Sequence, residues 1–326
     1  SFTQPQNSPE FRNRGYEVAL NIRPLTSQNF AWDIGLQWAR NQSLVTQLDA
    51  ATFIPIDGTN TLTPYEVAKE GSPVGVFYDF GWVRCGVSPN GMNAAVNGVD
   101  LATVCSGQPQ GSLYIAANGF PVADPNQRVL GDPNPDWTGS VRSGFRYKKW
   151  EVSGLLDIRQ GGDIYNGTRG ALYSYGTHKD TEQRAACDGD ECVGNEKTFG
   201  RGGWFDGPVV GPGAGTAVPI GENWYRQGLG AGPFAGNSEG FIEDGSYVKL
   251  RELSLGYTLD NAWVRNTIGL TSLDLRVAGR NLKTWTDYTG YDPETNLGGA
   301  IQNTRGYDYF NMPQTRSFVF TVNLNR

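Results

Sequence analysis

The chain has 326 residues, of which 44 are glycine and 12% are aromatic, and its formal net charge is −6. No stretch of 18 or more uninterrupted apolar residues is present, so neither a membrane-spanning helix nor a signal peptide is expected in it. The acidic balance argues against a nucleic-acid partner. The single histidine, His178, excludes sites that need two imidazole ligands. The composition favours β structure and permits a membrane-spanning barrel.

Apolar and polar residues alternate with period two along several segments, which predicts β-strands with one apolar and one polar face. The alternation changes phase at Arg251 and Glu252, which predicts a β-bulge there. Two weaker candidates, 74–83 and 113–117, raise the predicted count from seven to nine. The seven clear strands are 16–23, 30–40, 138–148, 150–159, 248–259, 273–280 and 318–325.

Strand length, loop length and aromatic placement favour a transmembrane barrel over a soluble sandwich. Several predicted strands have the nine to eleven residues that cross a bilayer at a tilt of ~45°. Short connections (24–29, 148–149, 260–271) alternate with long ones (41–73, 160–240, 284–316), as in outer-membrane barrels. Aromatic residues lie beside the short turns, where an interfacial girdle is expected: Phe30, Trp32, Tyr147, Trp150, Tyr257 and Trp263.

The polar strand faces carry charges of both signs, and charged side chains are costly in lipid. They are therefore predicted to face a polar barrel lumen: Arg142, Arg146, Asp157, Arg159, Arg276 and Arg280. Strand parity requires either no crossing or two crossings between residues 40 and 138. An excursion on the outer side, without crossings, is the preferred interpretation.

Four cysteines form two pairs that are close in sequence. Disulfides Cys85–Cys105 and Cys187–Cys192 in an oxidising compartment are expected, with unpaired thiols as the alternative. The three carboxylates between Cys187 and Cys192 suggest a weak calcium loop, but a solvated loop tip is the preferred interpretation. Neither spacing favours zinc.

Aromatic residues gather in the long loops, where flat rings stack on sugars and apolar solutes. The alternative is that these rings hold the loops together. No arrangement of catalytic residues is evident, so an enzyme is not expected. The aromatic residues predicted to contact substrate are Trp204, Trp224, Tyr225, Tyr291, Tyr307 and Tyr309.

Eight short motifs occur in a fixed order along the chain. They are RNRGYE (12–17), KEGSPVGVFY (69–78), GDPNPDWTG (131–139), LLDIRQGGDIYN (155–166), IEDGSYVKLRELSLGY (242–257), GRNL (279–282), GYDPE (290–294) and PQTR (313–316). In this order they resemble the C-terminal part of SusC/RagA-like TonB-dependent outer-membrane transporters. One departure is the final residue, Arg326, where the family usually ends on an aromatic residue.

This resemblance implies that residues 1–326 are the C-terminal seven to nine strands of a 22-stranded barrel in the bacterial outer membrane, with a long extracellular loop at 160–240. It implies active import of oligosaccharides or peptides. It also implies a SusD-like surface lipoprotein, TonB acting through an N-terminal part, the remaining barrel strands and membrane lipid as partners. Apart from the calcium suggested for the acidic loop, no cofactor is expected. A secreted carbohydrate-binding β-sandwich and a structural surface protein are the alternatives.

Overall fold

The predicted strands pair side by side in one antiparallel sheet, here called the wall. A computed structural model describes residues 9–49, 51–56, 64–87, 95–96, 99–188, 191–200, 205, 207–232, 236–298 and 304–326, with the backbone alone at 95–96, 99, 187–188 and 191–193. In chain order the strands are β1 (Glu10–Thr26), β2 (Phe30–Gln47), β3 (Ile54–Pro55), β4 (Tyr65–Ala68), β5 (Val76–Trp82), β6 (Ala95–Val96), β7 (Val99–Asp100), β8 (Leu113–Tyr114), β9 (Ala123–Gly131), β10 (Trp137–Tyr147), β11 (Trp150–Gln160), β12 (Asp163–Asn166), β13 (Ala186–Asp188), β14 (Glu191–Val193), β15 (Glu196–Lys197), β16 (Val209–Val210), β17 (Val218–Pro219), β18 (Ile242–Asp244), β19 (Tyr247–Leu259), β20 (Ser272–Thr286), β21 (Tyr307–Asp308) and β22 (Ser317–Asn325). The helices are α1 (Leu101–Val104), α2 (Gly167–Ser174), two 3-10 turns (Lys179–Glu182, Ser238–Phe241) and two π-helical turns (Trp224–Gly228, Val264–Ile268).

The wall has the strand order β1-β2-β10-β11-β19-β20-β22. Its members are the seven strands that alternation predicts, and every neighbouring pair is antiparallel. The predicted bulge is confirmed, because the register of β19 shifts between Leu250 and Glu252. Strands β2 and β10 are direct neighbours, so no further crossing lies between them and the preferred excursion is confirmed.

Short and long connections lie at opposite ends of the wall. Residues 27–29, 148–149 and 260–271 join strands at one end. In the two-residue turn, Lys148 adopts a positive φ of 53°, which closes the β10–β11 hairpin. At the other end lie the first connection (48–136), the second (161–246) and the third (287–316). The first starts later than the predicted loop 41–73, because β2 continues to Gln47. It is nevertheless longer than predicted, because the weaker strand candidates do not join the wall.

The three long connections fold together into a loop layer with its own hydrophobic core. The candidates at 74–83 and 113–117 form β5 and β8 in this layer. Strand β8 of the first connection pairs with β16 of the second, and β12 of the second pairs with β21 of the third. Side chains from all three connections share one core, including Phe77, Tyr173 and Tyr307. The layer is thus a tertiary unit built from segments that are distant in sequence.

One face of the wall is an exposed apolar surface. Val18, Leu20 and Ile22 on β1 are exposed, as are Leu253 and Leu255 on β19 and Phe318 and Phe320 on β22. A β-sandwich would bury this face against a second sheet. Its exposure therefore contradicts the alternative of a soluble sandwich. Among the described residues, no helix is long and apolar enough to cross a membrane.

Candidate functional site

The opposite face of the wall collects the charged side chains predicted to face the lumen. The cross-strand register defines one row of residues across six strands of the wall, so that all of them lie on the same face. In order from β1 to β20, this row is Asn21, Gly35, Arg142, Leu155, Glu252 and Arg280. Equivalent rows hold the other members of the set. All six predicted residues consequently share the face opposite the apolar surface: Arg142, Arg146, Asp157, Arg159, Arg276 and Arg280.

Some of these charged side chains are paired with other protein groups, and others have no ion-pair partner among the described residues. Glu252 accepts hydrogen bonds from Arg276 (3.4 Å) and Arg280 (3.2 Å). Arg159 donates to the carbonyl of Pro133 at 2.7 Å, which ties the wall to the first connection. Within the described part of the chain, Arg142 and Arg146 have no ion-pair partner. They line a cavity of about 500 Å³ on the polar face, whose other charged lining residues are Arg23, Asp33 and Glu151.

A second cavity, of about 600 Å³, lies where the wall meets the loop layer. Phe11 and Asn41 of the wall line one side, Ile54 and Val74 of the first connection line another, and Arg305 of the third connection completes it. The combination of apolar walls with a few polar groups is typical of a small-molecule site.

A buried charge cluster anchors the third connection to the wall; its members are Lys249, Arg251, Asp157, Asp292 and Glu294. Lys249 is only 2% exposed, and its Nζ donates to Asp292 Oδ1 at 3.1 Å and to Glu294. Arg251 donates to Asp157 Oδ2 at 2.6 Å and to Glu294. The pKa of Glu294 is raised by burial, but hydrogen bonds from Arg251 and Lys249 outweigh that and hold the pKa at about 2. Glu294 is therefore ionised at neutral pH.

Three aromatic residues predicted to contact substrate are instead core side chains. Trp224, Tyr225 and Tyr307 are almost completely buried in the loop-layer core, and the prediction is wrong for them. A layer of this size needs its own core, and aromatic rings bury the largest apolar area per residue. Tyr309 packs at the edge of that core, and Tyr291 is 76% exposed. Trp204 lies outside the described residues.

The cysteine predictions have two outcomes. Cys85 and Cys105 form a disulfide with their Cα atoms 5.4 Å apart, as predicted. Cys187 and Cys192 lie directly opposite each other in the β13–β14 hairpin. Their sulfur atoms, and the carboxylates between them, lie outside the described residues. The second disulfide and the calcium loop remain predictions.

Comparison with known proteins shows similarity along nearly the whole chain. No family model matches it. A TonB-dependent receptor of Formosa agariphila, P3, is 28% identical over 99% of this chain and 29% of its own length. The TonB-dependent receptor SusC of Bacteroides thetaiotaomicron is 20% identical over 90% of this chain and 25% of its own length. The RagAB peptide transporter shares the fold, with a TM-score of 0.59 at 16% identity over 99% of this chain.

Along nearly its whole length, the chain is similar in sequence to TonB-dependent receptors, SusC among them, and similar in fold to the RagAB peptide transporter. It spans about 30% of the length of the relatives that it matches. Its wall is a segment of a transmembrane antiparallel β-barrel, and the TonB-dependent receptors that it resembles reside in the bacterial outer membrane. The exposed apolar face of the wall is then the face that meets lipid, because a barrel presents its apolar residues outward.

Two groups of residues in this chain could not be assigned from the sequence alone. One is the Lys249 cluster, whose members lie in three of the motifs that carry the resemblance; of these members, only Asp157 was predicted as a site residue. The motifs were the only signal for it. The other group joins the first and second connections: Arg84 Nε and Arg128 Nη2 donate to Glu239 at 2.6 Å and 2.5 Å. No local pattern marks Glu239, because its partners are more than a hundred residues away.

Proposed function

We propose that this chain forms part of the wall and outer loops of a TonB-dependent importer of oligosaccharides or peptides in the bacterial outer membrane. The observation that carries the proposal is the wall itself, with one lipid-compatible face and one face of charged side chains, in a chain similar throughout to TonB-dependent receptors. A polar face that lines a lumen offers many weak contacts to a passing solute. Weak contacts suit transport, because a solute that binds too tightly is not released.

The solute path in this proposal runs along Arg142 and Arg146 and past the cavity beneath the loop layer. Tyr291 and Tyr309 are the predicted loop aromatics that are accessible enough to contact solute. The six charged residues of the polar face line the lumen. The structurally similar RagAB is a peptide transporter, and the related SusC is a TonB-dependent receptor; both support import as the activity.

The proposal includes partners beyond this chain. A SusD-like surface lipoprotein would cover the loop layer, which lies at the end of the wall with the long connections. TonB would act through a part of the receptor outside these residues, and further strands would complete the barrel. Co-purification of the detergent-extracted receptor with a single lipoprotein would support the first of these partnerships.

Uptake of labelled solutes by whole cells tests the proposed activity. We expect accumulation of either a fluorescent oligosaccharide mixture or a fluorescent oligopeptide mixture to fall to background when the gene is deleted, and equally when TonB is removed. Undiminished uptake of both mixtures in the deletion strain would contradict import. Uptake that needs the gene but not TonB would contradict the proposal that TonB supplies the energy.

A pair of double variants tests the path. Arg142→Gln with Arg146→Gln removes two charges from the lumen face, and we expect uptake to fall several-fold at an unchanged surface level. Arg12→Gln with Arg14→Gln removes two charges from the opposite face and serves as the matched control. Equal uptake by both variants would place the solute path elsewhere.

A further inference from the structure

The wall has an identifiable outer end. Short turns join strands at one end and the three long connections lie at the other, and in outer-membrane barrels the short turns are periplasmic. On β2 the lipid-facing side chains run outward from Phe30 and Trp32 to Leu36 and Trp38. From Phe30 to Arg40 this strand rises about 33 Å at ~3.3 Å per residue. A strand of this length, tilted by ~45°, crosses an apolar band of about 25 Å.

Three arginines follow directly where that apolar band ends. On β1 the lipid-facing row Leu20, Val18 and Tyr16 continues outward as Arg14 and Arg12. On β2, Arg40 lies opposite Tyr16 in the register. Strand alternation therefore places Arg12, Arg14 and Arg40 on the outside of the barrel, just above the lipid-facing side chains. These three residues are here called the exterior arginine patch.

Among the described residues, the exterior arginine patch is exposed and has no acidic partner. All three side chains are exposed, and within the described residues none of them has an ion-pair or hydrogen-bond partner for its guanidinium. The nearest acidic residue of β1 on the outer side, Glu10, lies beyond Arg12 and opposite Gln47. Glu17 lies on the other face of the strand, where it pairs in register with Ala39.

This location differs from that of the lumen arginines. Arg142 pairs in register with Gly35, and Arg146 pairs with Ala31, both on the polar face. These two arginines therefore face the proposed solute path. Arg14 shares a row with Gln42 on the opposite face, beside Tyr16, which is 69% exposed. An amphipathic aromatic ring at the interface with cationic groups just beyond it is the arrangement that meets lipid headgroups.

We propose that the exterior arginine patch binds the phosphate-bearing headgroups of glycolipid in the outer leaflet around the barrel. Planar guanidinium groups match phosphate oxygens with two parallel hydrogen bonds, and three of them on adjacent strands engage several phosphate groups at once. The occupant is lipid rather than free phosphate or solute, because the patch continues the lipid-facing surface and lies on the far side of the wall from the lumen. The binding positions the receptor in the membrane and is separate from solute transport.

Native mass spectrometry of the complete receptor in neutral detergent tests the proposal. The probes are diphosphoryl lipid A and the same lipid after enzymatic removal of both phosphates. The exterior variant carries Arg14→Gln and Arg40→Gln; the matched control carries Arg142→Gln and Arg146→Gln on the lumen face. Each arginine near an anionic surface contributes about fivefold to binding, so we expect the exterior variant to bind diphosphoryl lipid A about 25-fold more weakly. The control is expected to bind it within about twofold of the unmodified receptor.

The outcomes separate the proposal from its competitors. Binding by the exterior variant within about twofold of the unmodified receptor overturns the proposal. An equal loss for the dephosphorylated lipid also overturns it, because the contact would then be apolar. Displacement of the lipid by millimolar inorganic phosphate alone would make the patch a free-anion site instead. A heat-modifiable shift on gels verifies that each variant is a folded barrel, so weaker binding cannot be attributed to misfolding.

Discussion

Lys249 illustrates how a single residue can join two parts of this chain. It belongs to a strand of the wall, but its ammonium group is buried against Asp292 and Glu294 of the third connection. A buried cation without partners would strongly destabilise the fold. The two carboxylates therefore compensate for the burial of the Lys249 ammonium group. The connection is consequently held to the wall by charge as well as by packing.

Acid should weaken this anchor through Glu294. Its pKa is lowered from 4.5 to about 2 in the folded protein, so its contribution to stability is complete above pH 4.5 and is lost as the pH falls towards 2. We expect protease resistance of the third connection to decrease between pH 5 and pH 3 in the unmodified receptor. Glu294→Gln should lower resistance at pH 5 and flatten this dependence. An unaltered pH dependence in the variant would contradict the role of Glu294.

A pair of neighbouring residues on β1 tests which face meets lipid. Leu20 is 47% exposed on the apolar face, opposite Leu36, whereas Asn21 pairs with Gly35 on the polar face. Leu20→Arg should cost about 2–4 kcal/mol in the bilayer and impair assembly, and Asn21→Arg should be tolerated. The measurement is the yield of heat-modifiable receptor in outer membranes. Equal yields of the two variants would mean that the faces are assigned incorrectly.

At the scale of elements, the three long connections behave as one folded unit rather than as separate loops. Short strands from different connections pair with each other, and aromatic rings from all three fill one core. Trp224 stacks on Phe199 within the second connection, with ring centres 4.5 Å apart. Their hydrophobicity explains why these rings suggested ligand contact in the sequence, where burial cannot be read.

Trp224→Ala should therefore disrupt the loop layer and leave the wall assembled. Truncation of a buried tryptophan costs about 3–5 kcal/mol, and this core cluster contains no residue of the wall among those described. We expect the second connection to become sensitive to protease on intact cells while the heat-modifiable shift of the barrel persists. Tyr175→Ala, at an exposed position, is the matched control. Protease resistance equal to that of the control would show that Trp224 does not stabilise the loop-layer core.

At the scale of the whole molecule, the wall is an open sheet with β1 and β22 at its edges. Unpaired backbone groups at a strand edge cost several kcal/mol each in hydrocarbon. A lipid-exposed segment of barrel is stable only when further strands pair with both edges. In that closed barrel, the apolar surface faces lipid and the exterior arginine patch lies just above it.

The chain expressed alone should consequently fail to form a barrel in lipid. We expect residues 1–326, synthesised in the presence of vesicles, to give no heat-modifiable band, and the receptor with its further strands to give one. The comparison uses the same vesicles and the same detergent extraction. A heat-modifiable band from residues 1–326 by themselves would show that β1 and β22 find partners without other strands.

The sequence by itself determined the wall. Alternation is a local property, so the seven strands, the bulge at Arg251 and the two faces follow from neighbouring residues. The alternation of short and long connections along the chain likewise distinguishes the two ends of the wall. Only the tertiary structure decided which loop aromatics are buried and which charges are neutralised, because Glu239 meets Arg84 across 155 residues and Lys249 meets Asp292 across 43. Such contacts depend on how three connections pack together, and packing between distant segments leaves no periodic pattern in the chain.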